Sequence, residues 1–299
     1  MKWSDLRRLK ENVIPHADWE MVLMRCFLLW PFWIVVTRSV VSVQPKPNGI
    51  AHFVDLTWLA NPLTLNILIS LFAVCGTLYA LGFLMVPALG IITAILIAKG
   101  TLINSQGAIN HALQLLTMVA LTQWIVYCMR RPLGWSKRES HLQAVHWAKV
   151  TIAASYVSAA LAKIFASSEF WIARAPYMAL QVIKSNLQSY YNDLVMPTSW
   201  LAQQFPYWVL ENRNLTRAIF TGGLILELLA FLALVNRRWA LFIGVSMLLL
   251  HWSIQLLMDL EFKHHVYLLL IFFVNVPWLF YVSFQWLRNR GTRTSAVVS

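Results

Sequence analysis

Apolar runs of about twenty residues recur along this chain, and each is long enough to cross a bilayer as a helix. A backbone in lipid must satisfy its own hydrogen bonds, so such runs leave a helix bundle as the expected fold. Composition points the same way: 59% of residues are hydrophobic and 12% charged, against roughly 25% charged in an average soluble domain. Eight spans are predicted, at residues 21–43, 63–82, 84–103, 108–128, 142–166, 217–235, 239–260 and 264–284. Only a short turn near Pro87 separates the second from the third, because proline breaks the helical hydrogen-bond ladder there. The expected fold class is all-α. One integral membrane domain covers residues 1–299, with a long loop at 167–216.

Charge sets the expected orientation. With the N-terminus inside, the inner segments hold thirteen basic residues: Lys2, Arg7, Arg8, Lys10, Arg130, Arg131, Lys137, Arg138, Arg237, Arg238, Arg288, Arg290 and Arg293. The outer segments hold seven: Lys46, Lys99, Arg174, Lys184, Arg213, Arg217 and Lys263. The positive-inside rule therefore places both termini in the cytoplasm, which requires an even number of spans. The same bias, with anionic headgroups, accounts for the net charge of +12 without a nucleic-acid partner. No cleavable signal is apparent at the basic start. Cys26, Cys75 and Cys128 lie in apolar runs without metal spacing and read as small buried hydrophobes. The long loop carries Trp171, Tyr177, Tyr190, Tyr191, Trp200, Tyr207 and Trp208, cut by Pro176, Pro197 and Pro206. Short amphipathic helices on the outer leaflet, or a lid, are expected there.

Ionisable groups at membrane depth are costly, on the order of 2.5–3.5 kcal/mol at a helix centre, so each needs a partner, a route to the surface or a function. Counting at 1.5 Å per residue puts Asn110, His111 and Lys163 near the outer ends of the fourth and fifth spans. Glu227 falls in the middle of the sixth, and His251 somewhat beyond the midplane of the seventh. Each also has a purely structural reading. Lys163 can snorkel, His111 can be interfacial, and Glu227 and His251 can bond neighbouring helices. Arg25, Arg38, Lys149 and His146 are expected to snorkel, and Asp259, Glu261, Lys263, His264 and His265 to form a solvated outer turn without a metal site. A lysine in low dielectric holds its proton less tightly and becomes a competent base. Lys163, His111, Asn110 and His251 under an aromatic lid could then deprotonate an apolar phenol or quinol arriving from the lipid.

The fifth span starts His141-Leu142-Gln143 and continues with Tyr156, Ala159, Ala160, Lys163 and then Trp171. This order, the Asn110-His111 pair, Glu227, His251 and Arg25 resemble the HTTM superfamily, the transmembrane part of vitamin K-dependent gamma-carboxylase and its bacterial relatives. The resemblance extends over about Met21 to Phe284. It implies a lyase-type membrane enzyme in which Lys163 is the base that starts oxygenation of a reduced, vitamin K-like quinone. Asn110, His111 and His251 would assist, with Glu227, Tyr156 and Arg25 as supporting polar groups and no metal. The interval from Lys163 to Trp171 is longer than the family's, and the segment after His251 lacks its polar continuation. No counterpart of the family's large soluble domain is expected in the residues after the eighth span. Peptide carboxylation is then expected only with a partner subunit, or on a small secreted peptide. The other reading is a non-enzymatic membrane factor for peptide maturation, export or immunity.

Overall fold

The computed structural model describes residues 13–39, 49–106, 111–165, 171–195, 199–258 and 260–295. All regular structure among these residues is helical. Six helices are long and apolar enough to cross a membrane, and a bent pair raises the number to seven. The chain is a multi-pass membrane protein by helix length and hydropathy.

The first four α-helices among the described residues are α1 (Asp18–Thr37), α2 (Pro62–Leu81), α3 (Met85–Asn104) and α4 (His111–Cys128). Asn61 starts α2: its side chain accepts from the Leu63 amide at 2.8 Å, and Pro62 sits in the first turn, where its missing N–H is not needed. Gly82, at φ +75°, ends α2 in the left-handed region that favours glycine. Pro87 then falls in the first turn of α3, so the expected break between the second and third spans is a tight turn at 82–84. The apolar part of α4 among the described residues is Leu113–Cys128, shorter than a full span.

Next come α5 (Lys137–Phe165) and, in the long loop, α6 (Met178–Asp193) and α7 (Phe205–Glu211). Ser136 and Glu139 cap α5 reciprocally. The Ser136 amide donates to Glu139 Oε2 at 2.8 Å and the Glu139 amide to Ser136 Oγ at 3.2 Å. The loop has its own small core of Ala179, Val182, Phe205 and Val209, against which Leu257 and Met258 pack. Ser185 Oγ donates to the Met258 carbonyl at 3.0 Å and tethers the loop to the membrane helices.

The chain finishes with α8 (Arg213–Leu228), α9 (Arg237–Met258), α10 (Lys263–Leu268) and α11 (Val276–Ser295). α8 tightens into a 3-10 turn at Leu229–Leu234, and α10 runs into a π-helical turn at Leu269–Val274. The eighth expected span, 264–284, is therefore not one straight helix: it bends by 48° at Asn275. Pro277 is the cause. In a continuous helix its ring would meet the carbonyl four residues earlier and leave an unbonded acceptor. Asn275, at φ 54°, takes up the break, and its Oδ1 accepts from the Trp278 amide at 3.3 Å.

The main core joins α1 to α5 with α9 and the π turn, through Leu28, Phe32, Tyr79, Ile92, Ile152 and Phe272 among others. Lipid-facing positions carry large apolar side chains, including Trp30, Ile67, Val74, Trp252 and Phe280. Small residues let the helices close up. Gly244 lies so near the π turn that a Cβ there would sit 2.9 Å from Phe273 Cβ and 3.1 Å from the Val274 nitrogen. Gly244→Ala is therefore expected to cost about 1–3 kcal/mol, as overpacking does. Denaturant unfolding in detergent measures this, and an unchanged midpoint would show that α9 and the π turn have room to separate.

Candidate functional site

Lys163 comes from the last turn of α5 and meets Glu227 from α8. Its Nζ donates to Glu227 Oε1 at 2.6 Å and Oε2 at 2.5 Å. The Lys163 side chain is 32% exposed and that of Glu227 12%. The Lys163 ammonium also lies 5.3 Å from the centre of the Trp171 ring, a cation–π distance. The pair forms the polar wall of a cavity of about 240 Å³. Apart from Ser253, whose hydroxyl donates to the Leu249 carbonyl at 2.8 Å, the rest of the described lining is apolar, notably Phe220, Leu224, Leu250, Leu257 and Phe262, with Trp171 and Met178 from the loop over it.

A second polar group lies across Phe262. Tyr156 Oη and His251 Nε2 are 2.6 Å apart and both residues are buried. The His251 ring packs 4.9 Å from Phe262 and 5.4 Å from His265. His251 Nδ1 is buried with no hydrogen-bond partner among the described residues. Removing the Tyr156 hydroxyl strands Nε2 as well, so Tyr156→Phe should cost about 1–3 kcal/mol. Thermal unfolding of the purified variant reads this directly; an unchanged midpoint would mean that another donor replaces the hydroxyl.

Of the residues expected to share a pocket, Lys163 and Glu227 line the cavity and Tyr156 and His251 sit behind its aromatic wall. Asn110 lies outside the described residues, as does the side chain of His111. Asp259 of the outer turn is outside them too. Within that turn Glu261 and Lys263 pair at 2.6 Å and are exposed, but His265 is buried against Tyr156 and His251 rather than solvated.

The arginine and lysine expected to snorkel from the inner ends instead turn inward. Arg25 is buried, with Nη1 3.2 Å from His141 Nδ1 and Nε donating to the Ala80 carbonyl at 3.3 Å. The Tyr127 hydroxyl reaches the same His141 nitrogen at 3.0 Å. Lys149 is buried 3.3 Å from His16 Nε2. Toward the far end of α3, Lys99 is wholly buried and donates to the Arg38 carbonyl at 2.6 Å. A carbonyl near a helix end serves Arg25 and Lys99, and the His16 imidazole serves Lys149, which removes the need to reach water. Cys26 is exposed on α1 and not buried as expected.

A charged cluster around Glu20 was not expected from the sequence. His16 Nδ1 is 2.8 Å from Glu20 Oε2, and Arg237 Nη2 donates to the same oxygen at 3.0 Å. Asn275 Nδ2 adds a bond at 3.3 Å, and Arg237 also donates to the Pro15 carbonyl. The guanidinium stacks 5.2 Å from the Trp278 ring. An acid in the first turn of an apolar helix, and an asparagine two residues before a proline in another, were the available signals.

Burial pushes the His16 imidazole down from 6.5 to about 4; the Glu20 hydrogen bond opposes this, and Lys149 and Arg237 reinforce it. The folded value lies below the unfolded one, so the unfolded chain binds the proton more readily. Stability from neutral His16 is complete above about pH 6.5 and is lost as pH falls toward 4. Unfolding midpoints across that range should drop for the natural chain and flatten for His16→Gln. Parallel slopes would remove His16 as the cause.

No protein-family model matches the chain, and no curated protein or solved structure matches it.

Proposed function

We propose that the protein is a membrane enzyme of the carboxylase-like HTTM type, working on a quinol-class ligand in the outer half of the bilayer. In this reading the chain crosses eight times, with α4 as a full span and both termini in the cytoplasm. The observation that carries it is the Lys163–Glu227 pair, the charged wall of an otherwise apolar cavity beneath aromatic side chains. At about 240 Å³ the cavity is smaller than the ≈300–1,000 Å³ that holds a whole drug-sized ligand. It suits a single aromatic headgroup whose tail stays in lipid. A reduced quinone bound there supplies an acidic hydroxyl and reducing electrons.

The chain's own residues would act as follows. The Lys163–Glu227 pair takes up the hydroxyl proton as a unit: the proton settles on the Glu227 carboxylate and Lys163 stays an ammonium, the two sharing a short hydrogen bond. The ammonium then faces the resulting oxyanion and stabilises it in a site from which apolar side chains exclude water. Trp171 holds Lys163 in place through its ring face. Tyr156 and His251 position Phe262 behind the headgroup. Asn110 and His111 complete the site in this proposal, and a partner subunit or small secreted peptide supplies any second substrate.

A second reading has its own support. The Lys163 ammonium is already satisfied by Glu227, which a purely structural pair would also show. The protein would then be a non-enzymatic factor in peptide maturation, export or immunity. Lipid extraction and mass spectrometry of the purified protein separate the two. A quinone present in the natural chain and lost in Lys163→Ala supports the enzyme; a natural chain without one rejects it.

A further inference from the structure

A second cavity, of about 660 Å³, lies at the other end of the bundle. It opens between the turn joining α2 to α3 and the turn joining α4 to α5. Among the described residues three cations line it, Arg130, Arg131 and Lys137, and no acidic side chain does. All three are exposed, and none forms an ion pair with an acid among the described residues. Neighbouring Arg138, by contrast, is paired with Asp18 at 3.0 Å.

The floor of this cavity is polar and cationic as well. Gly82 has no side chain, and a Cβ there would stand 3.4 Å from Arg25 Nη2 and 3.6 Å from His141 Nε2. Arg25 is only 7% exposed, so a buried guanidinium lies directly under the cleft. The lip is of opposite character. Phe83, Leu84 and Val86 are 58%, 66% and 40% exposed, at the membrane end of two spans. Lys137 Nζ lies 5.3 Å from the Phe83 ring centre, where the cationic lining meets the apolar lip.

We infer that this cleft binds the phosphate of an anionic phospholipid headgroup, with Arg130, Arg131 and Lys137 around the phosphate and the acyl chains along Phe83, Leu84 and Val86. Clusters of unpaired cations are what such headgroups require, and basic pockets between membrane helices are where they bind. A soluble phosphate ester would find the same cations, but it would have no use for the apolar lip. The lip therefore assigns the ligand to the bilayer.

Native mass spectrometry of the full chain in detergent tests this, with phosphatidylglycerol, phosphatidylcholine and inorganic phosphate as separate probes. Phosphatidylglycerol should remain bound at collision energies that strip phosphatidylcholine. Arg130→Gln and Lys137→Gln should each weaken its retention about fivefold, whereas Arg238→Gln, an exposed cation outside the cleft, should not. Arg130→Lys keeps the charge and should retain most of the binding. Equal retention of the two lipids, or an equal loss in Arg238→Gln, overturns the site. Thermal stabilisation by inorganic phosphate as large as that by phosphatidylglycerol overturns the lipid assignment.

Discussion

Glu20→Gln is expected to be the most damaging single substitution in the chain, lowering stability by about 3–5 kcal/mol, the usual cost of removing one partner from a buried ion pair. The carboxylate is 4% exposed at the side chain and receives Arg237, His16 and Asn275 together. Glutamine preserves shape but leaves the Arg237 guanidinium without a counter-charge. Arg237 is partly exposed, at 25%, so some of the loss is relieved by water or headgroups. The double variant Glu20→Gln/Arg237→Gln should therefore lose less than the sum of the single variants, with a coupling of about 1–3 kcal/mol. Circular dichroism during denaturant unfolding in detergent gives all four corners of the cycle. A loss below about 1 kcal/mol for Glu20→Gln would show that the cluster is hydrated and not a structural lock.

Lys163→Met should abolish any proton transfer in the cavity that Lys163 lines, by at least about 100-fold if the pair acts as acid–base group. It should cost less stability than loss of Glu20, about 1–3 kcal/mol, because Lys163 is one-third exposed. Glu227→Gln should reproduce the activity loss with a similar stability change. The exchanged pair Lys163→Glu/Glu227→Lys is the discriminating variant. It rebuilds the ion pair and should recover stability, but it moves the ammonium away from Trp171 and should not recover proton transfer from a reduced quinone, followed by quinol absorbance. Recovery of both would reduce the pair to a structural contact, and undiminished proton transfer in Lys163→Met would remove it from the chemistry altogether.

Span positions were legible because twenty apolar residues have few other destinies. The short turn at 82–84 was readable from Gly82 and Pro87. The bend at Asn275 was missed although Pro277 announces it, because hydropathy averages over a single proline. Depth reasoning brought Lys163, Glu227 and His251 to one region, yet it could not choose partners. Depth fixes one coordinate of a side chain, and the angle around the helix is fixed only by packing. That is why Glu227 meets Lys163 while His251 meets Tyr156. Arg25 and Lys149 were misread for the same reason: near a helix end, the route outward to headgroups and the route inward to a neighbour's carbonyl or imidazole look alike in sequence.

The partners of α1 arrive late in synthesis. Glu20 waits for Arg237 and Asn275, which lie 217 and 255 residues downstream, and Arg25 waits for His141, 116 residues downstream. Until those segments emerge, Glu20 has only His16 and Arg25 only the Ala80 carbonyl among these partners, so the carboxylate lacks its guanidinium counter-charge. The place of α1 in the bundle is therefore provisional, held by hydrophobic length and by packing on its early neighbours. The seam between these early and late segments closes last, and a chain stopped before Arg237 would keep Glu20 without its guanidinium.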